Sequence, residues 1–422
     1  MPGAHPDEPQ PAPPAEPARS LEPYRVLFPI GIAAALAGLL PWLVFAAGLA
    51  PGWPAGLRVT WPGPAHAALM VQGFELAFVC GFLLTAMPAF THGPRCTRRE
   101  LALVTAAVAA FVVMRTLAVP GAAWAYLAAL AVLASCVARR VRPGAAAPPE
   151  EFLLVATGMA LGLAGGVVQA LASLGVLSAT AERAGVRCVS LGMMPALVLG
   201  LGGLLVPTFA MMKDPLAIAG IARPGDRPRR RAFTLVIAAL LVLAVNLEFA
   251  GLGTAAGWLR ALAAVVSTQL AWKLWRFPGR RDRLSWSLWS AGWCVAVGFT
   301  AAAVLPLQRV EAWHLAFVGG YALLTLGIAT RVVVSHGGHA LAEERRVLSA
   351  FALGALALAG LVRTLGPAFA PAHVLAVHLL AATLGALAVS AWLAAAWPRI
   401  RHPRRAPIMP GPAPPVPRPR GA

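Results

Sequence analysis

Apolar runs of about 20 residues recur along the whole chain, and each is long enough to cross the hydrocarbon core of a bilayer as a helix. In lipid, every backbone polar group must pair within its own segment or within a closed barrel. These runs are too long and too continuous for barrel strands, which alternate apolar and polar residues over short segments. The supply of charge agrees: 12% of the residues are charged and the mean hydropathy is +0.72, against about a quarter charged in an ordinary soluble domain. The sequence therefore predicts an all-α polytopic integral membrane protein. About twelve spans are expected, roughly at 26–50, 65–90, 100–119, 121–138, 151–178, 187–211, 232–251, 253–272, 284–305, 312–334, 347–366 and 371–397.

The net charge of +19 first suggests a nucleic-acid partner. The placement of the charge excludes one, because the basic residues lie in short connections between apolar spans. Twenty-six of the 35 Lys and Arg follow spans 2, 4, 6, 8, 10 and 12; seven (Arg58, Arg115, Arg183, Arg187, Arg260, Arg309 and Arg363) belong to the other side. The positive-inside rule puts the richer side, and both termini, in the cytoplasm. Residues 1–22 read as a Pro-rich disordered cytoplasmic tail, 23–399 as one twelve-helix transmembrane domain and 400–422 as a basic Pro/Arg-rich cytoplasmic tail. The start lacks the n-region, h-region and cleavage site of a signal peptide. The five Cys show no CxxC spacing.

Ionisable groups inside spans are costly and are functional candidates by default. His66, His314 and His373 open spans 2, 10 and 12 at the side expected to face outward. His92 closes span 2, and His336 and His339 follow span 10, at the cytoplasmic face. Spans 2 and 10 thus share a pattern, with Gly73 and Gly81 answering Gly319 and Gly327, and the triplet at 91–93 answering that at 335–337. The pattern suggests a six-plus-six internal repeat. Neutral imidazole suits haem or copper, although a His near a span end can equally serve the interface. Met70 stands four residues after His66, as a soft sulfur or as core filling. Glu75 lies about 13 Å deeper than His66 by helical rise, where a charged carboxylate needs a partner or a wet cavity. Asn246 and Glu248 lie near the outer end of span 7, where Glu248 can reach the interface. Arg331, in the last turn of span 10, can snorkel and complement the helix dipole. The chain has no GxxxxGK[ST], GxGxxG or HExxH.

Several segments, in order along the chain, resemble the NnrS family of bacterial twelve-span membrane proteins. They are PYRVLFPIG at 23–31, HAALM at 66–70, GFLLTAMP at 81–88, GLLVPTF at 203–209, NLEF at 246–249, LGIATR at 326–331 and SHGG at 335–338. The resemblance implies a haem- and copper-containing bacterial inner-membrane protein of the nitric oxide response, accompanying denitrification and protecting against nitrosative stress. It points to His66 and His314, with Met70, at an outer site. It points to His336, with His92 or His339, at an inner one. Glu75, Asn246, Glu248 and Arg331 would support them, by bonding a ligand ring or pairing with a propionate. The chain departs from the family pattern at Ala68, Ala250 and Trp289, where the family usually has His, and at Leu204, where it usually has Arg.

Two other readings compete. A twelve-span permease could use Glu75 as its coupling group. A metal-free membrane partner in respiratory-complex assembly would depend on the basic 213–231 connection instead. The expected partners are membrane lipid and a small molecule such as nitric oxide.

Overall fold

The computed structural model describes residues 22–49, 60–141, 148–211 and 226–404, and among these there are helices and connections but no strand. Nearly all of both expected tails and most of the 213–231 connection lie outside the described residues. Long helices follow the predicted spans in order. They are α1 Tyr24–Gly48, α2 Gly63–Thr91, α3 Arg98–Thr116, α4 Ala122–Arg140, α5 Phe152–Ser173, α6 Ala179–Ala210, α7 Arg227–Phe249, α8 Gly253–Val266 continued by a π turn at Ser267–Ala271, α9 Arg283–Val304, α10 Pro306–His336, α11 Ala350–Phe369 and α12 Pro371–Arg401. Ten of them are long and apolar enough to cross a membrane. The other two, α3 and α8, carry charge (Arg98, Arg99, Glu100 and Arg115; Arg260), and they pack against α4 and between α7 and α9. The chain is an all-α, multi-pass membrane protein.

Local chemistry sets the helix ends. Thr97 and Glu100 form a capping box at the start of α3: the Thr97 hydroxyl accepts from the Glu100 amide at 3.2 Å, and Glu100 accepts from the Thr97 amide at 2.8 Å. The same Glu100 takes two hydrogen bonds from buried Arg140 at 3.0 and 3.1 Å, and pairs with Arg139. One carboxylate thus fixes the start of α3 to the end of α4. Ser178, Asp282 and Ser349 cap α6, α9 and α11 through backbone amides. Because Ser178 caps it, α6 begins well before the expected 187. Its first turns carry Glu182, Arg183 and Arg187 and are amphipathic, so an apolar window passes over them. At the other end α12 runs on to Arg401 and buries Ile400. Six of the seven basic residues assigned to the outer side are helical here: Arg115, Arg183, Arg187, Arg260, Arg309 and Arg363. Arg58 lies outside the described residues.

One continuous buried cluster runs from Tyr24 to Ile400. Small residues let backbones close in, as membrane helices require in the absence of a hydrophobic drive between them. A Cβ on Gly165 would lie 2.7 Å from the Gly185 carbonyl, and one on Gly81 would lie 2.8 Å from the Phe28 ring. Phe28 in turn stacks on Phe78 at 4.5 Å. The most apolar windows of α2, α6 and α10 are 83%, 89% and 67% buried, against 33% for α1, α4, α7 and α12. These three helices form the centre, and each contains a π turn: Leu69–Glu75, Val189–Met193 and Leu315–Ala322. Such turns are uncommon, and they gather at functional sites because they re-aim side chains and free carbonyls.

Candidate functional site

Three imidazoles from three helices gather at the end of the bundle expected to face outward. His66 stands at the head of α2, just before its π turn, and its Nδ1 donates to the Gly38 carbonyl of α1 at 3.0 Å. His314 stands in the same relation to the π turn of α10, and its Nδ1 donates to the Val310 carbonyl at 2.7 Å. His378, on α12, donates from Nδ1 to the Val374 carbonyl at 2.7 Å. A carbonyl oxygen only accepts, so each ring carries its proton on Nδ1 and presents the Nε2 lone pair. This is the tautomer a metal ligand needs, with its second nitrogen held by the backbone. The three rings lie within electrostatic range of one another and of Arg363 on α11.

Aromatic and small residues frame the site. His378 stacks on Trp42 at 5.0 Å and 7°, and Trp42 meets Trp61 edge-on at 4.8 Å and His66 at 6.0 Å. Gly38 gives α1 its close approach: a Cβ there would lie 3.2 Å from the Leu69 Cβ and 3.5 Å from the Met70 sulfur. The structure therefore brings the expected pair, His66 and Met70, to one glycine. Arg363 lies 3.7 Å from Glu311, and its Nη1 is buried with no hydrogen-bond partner. The atom that faces Glu311 is this same Nη1, so the pair sets a largely buried ion pair beside the three rings.

A family model described as NnrS protein matches residues 20–404, nearly the whole chain. The chain belongs to the NnrS family. No curated protein matches it.

The remaining sites expected from the NnrS resemblance are placed differently. His336 has its Nδ1 3.6 Å from Glu22 and its ring 6.3 Å from Tyr24. His339 meets the Arg399 carbonyl at 3.3 Å, and His92 closes α2 in a left-handed turn, exposed. No hydrogen bond, ion pair or ring contact joins these three among the described residues. Asn246 donates to its own helix at Val242, and it is exposed. Glu248 does not reach for the interface. It is buried between Arg187 and Arg260, each at 2.9 Å. Arg331 does not snorkel either: it lies 2.6 Å from Glu344 and over the Phe209 ring at 5.0 Å. Glu75 is buried and accepts a hydrogen bond from Thr325 on α10 at 2.7 Å. Trp289, which stands where the family usually has His, donates to the Leu274 and Arg276 carbonyls at 3.0 and 2.9 Å. That position closes a loop in this NnrS chain.

Sequence reading misses His378, Arg363 and Glu311. His378 carried a usable signal, an ionisable ring inside an apolar run. Arg363 and Glu311 come together only through the packing of α10 on α11.

The donor chemistry fits haem. Axial ligation takes one or two neutral imidazoles, and three are offered with their Nε2 lone pairs free. It fits a closed copper cage less well, since among the described residues no three His, Cys, Asp or Glu side chains are grouped to hold a metal ion.

Proposed function

We propose that this NnrS protein binds haem, and copper where the sulfur of Met70 assists, at the outward end of α2, α10 and α12. We further propose that it acts in nitric oxide metabolism or nitrosative-stress protection in the bacterial inner membrane. The observation that carries the reading is the shared tautomer: His66, His314 and His378 each tie Nδ1 to a backbone carbonyl and leave Nε2 free. When bound, haem iron supplies an open or exchangeable coordination position for a small diatomic ligand. The chain's own residues do the rest. The carbonyls of Gly38, Val310 and Val374 hold the rings in orientation and tautomer. Arg363, paired with Glu311 through Nη1, sets a positive charge beside the rings, where it would attract a carboxylate of the bound group. Trp42 packs against the His66 and His378 rings, and Trp61 against His378. The absence of His at Ala68, Ala250 and Trp289 concentrates the ligand role on the rings that are present.

The test is the visible spectrum of the detergent-purified protein, oxidised and reduced, beside His66→Ala and His314→Ala, with iron and copper measured in parallel. A Soret band weakened by either substitution supports the site. A protein purified from haem-replete cells with no Soret band, no iron and no copper sinks it. One observation favours the permease reading as a second: Glu75 is a buried acid bridging two central helices.

A further inference from the structure

Where α2 meets α10, the last residue of the α2 π turn faces Thr325, three residues beyond the π turn of α10, in a polar contact that the metal site does not use. Glu75 ends the first π turn. Its carboxylate accepts from the Thr325 hydroxyl at 2.7 Å, and no Lys, Arg or His lies within ion-pair distance of it among the described residues. Tyr321, in the second π turn, is 2% exposed, and its hydroxyl has no hydrogen-bond partner. An unpaired carboxylate is expensive in such surroundings, whereas the uncharged acid is tolerated. An orphaned hydroxyl beside it is a donor waiting for an acceptor.

This centre has a route to the surface. A cavity of ≈ 210 Å³ opens at the outward end between α3, α4 and α5, lined by Arg115, Ser173 and Glu182 among others. Its inner wall includes Gln72 and Gln169, which are bonded to each other at 3.3 Å. Gln72 belongs to the same π turn as Glu75, three residues before it. The cavity wall therefore reaches the residue of α2 three places before the buried acid.

We propose that Glu75 is an intramembrane proton-binding site, loaded from the outward cavity past Gln169 and Gln72, with Thr325 as its hydrogen-bonding partner. A proton from cavity water joins a Glu75 oxygen to give the neutral acid, and the reverse step returns it. The O–H bond formed at Glu75 replaces the one broken at the hydronium ion, and no electron moves. The titratable groups around it are Tyr321 on α10 and, through the cavity, Arg115 on α3 and Glu182 on α6. The flanking stretch of α1 offers none. The proposal does not rest on haem or copper.

Infrared spectroscopy of the full-length protein in detergent tests it, and needs no cofactor. The expected result has four parts. A protonated-carboxyl C=O stretch is present at neutral pH and disappears as the pH is raised. It is lost in Glu75→Gln. It moves to higher frequency in Thr325→Val, where the hydroxyl is gone but the acid remains. Its exchange in deuterium oxide slows several-fold in Gln169→Leu. A spectrum unchanged in both Glu75→Gln and Thr325→Val overturns the proposal, as does a band indifferent to pH. Exchange equally fast in Gln169→Leu overturns the cavity route. If Glu75→Gln fails to fold, the Thr325→Val shift decides by itself.

Discussion

Arg260 and Glu248 face each other at 2.9 Å with side chains 2% and 6% exposed, a charge pair sealed between α7 and α8. Arg260 also donates to the Leu191 carbonyl at 3.1 Å, inside the π turn of α6. The pair therefore ties the centre of the bundle to two outer helices. Removing one partner of a buried pair costs about 3–5 kcal/mol because the other charge is stranded. Glu248→Leu should lower the melting temperature in detergent markedly. The double variant Glu248→Leu with Arg260→Met should recover most of the loss. A Glu248→Leu protein that melts with the wild type would show that the charge is not sealed.

Gly202 on α6 packs under Trp272, which is fully buried and donates to the Leu199 carbonyl at 3.3 Å. A Cβ on Gly202 would lie 2.0 Å from the indole ring. The ring cannot yield without breaking its hydrogen bond. Gly202→Ala should destabilise by at least the about 1–3 kcal/mol typical of overpacking. Trp272→Phe in the same chain should relieve part of it. Thermal unfolding of the single and double variants measures both.

Among the histidines, His378 and His92 should behave in opposite ways. His378 lies against Trp42 at the outward cluster, whereas His92 closes α2 in an exposed left-handed turn. His378→Ala should weaken the Soret band as His66→Ala does, and His92→Ala should leave it intact. A spectrum sensitive to His92 and not to His378 would move the site to the opposite end of the bundle.

Two neighbouring acids between α10 and α11 should titrate in opposite directions. The hydrogen bond from Arg399 holds Glu343 below the usual carboxylate value of 4.5, against its slight desolvation. Burial pushes Glu344 above that value, outweighing the attraction of Arg331. Arg331 and Glu344 approach to 2.6 Å without the alignment of a hydrogen bond. A lowered folded value means that Glu343 stabilises fully above the unfolded value, and that this is lost as pH falls through the folded one. A raised folded value means that Glu344 costs stability once it ionises, and that the cost is relieved as pH falls. Glu343→Gln should therefore flatten the loss of stability below about pH 4.5. Glu344→Gln removes that titration but strands Arg331, whose partner it was at 2.6 Å, so the melting temperature at neutral pH should fall. Melts across that range in each variant distinguish the two.

The spans were legible because a lipid-crossing helix must be long and apolar, and that demand is written residue by residue. The motif around His66 and Met70 was legible for the same local reason. What was hidden depended on neighbours far along the chain. Glu248 looks like an interfacial acid until Arg187 and Arg260 close on it from α6 and α8. Arg331 looks like a snorkelling cation until Glu344 meets it. The surroundings of His336 were hidden too, because a helix end fixes where a ring begins and not which residues lie opposite. Tyr24 and Glu22 are what lie near it. The π turns carried no residue signature, since they differ from an α-helix in hydrogen-bond register and not in composition.

That register has an angular meaning. A π turn accommodates an extra residue, and one residue of an α-helix corresponds to about 100° of rotation. In α2 the turn at Leu69–Glu75 follows His66 and carries Met70 at its start, both beside Gly38 of α1, and carries Glu75 at its end, against Thr325 of α10. The helix acts as two short cylinders clocked against each other, so that one strand of chain addresses two neighbours at two depths. Deleting a single residue within the turn would leave every side chain in place by name and turn one cylinder away from its partner.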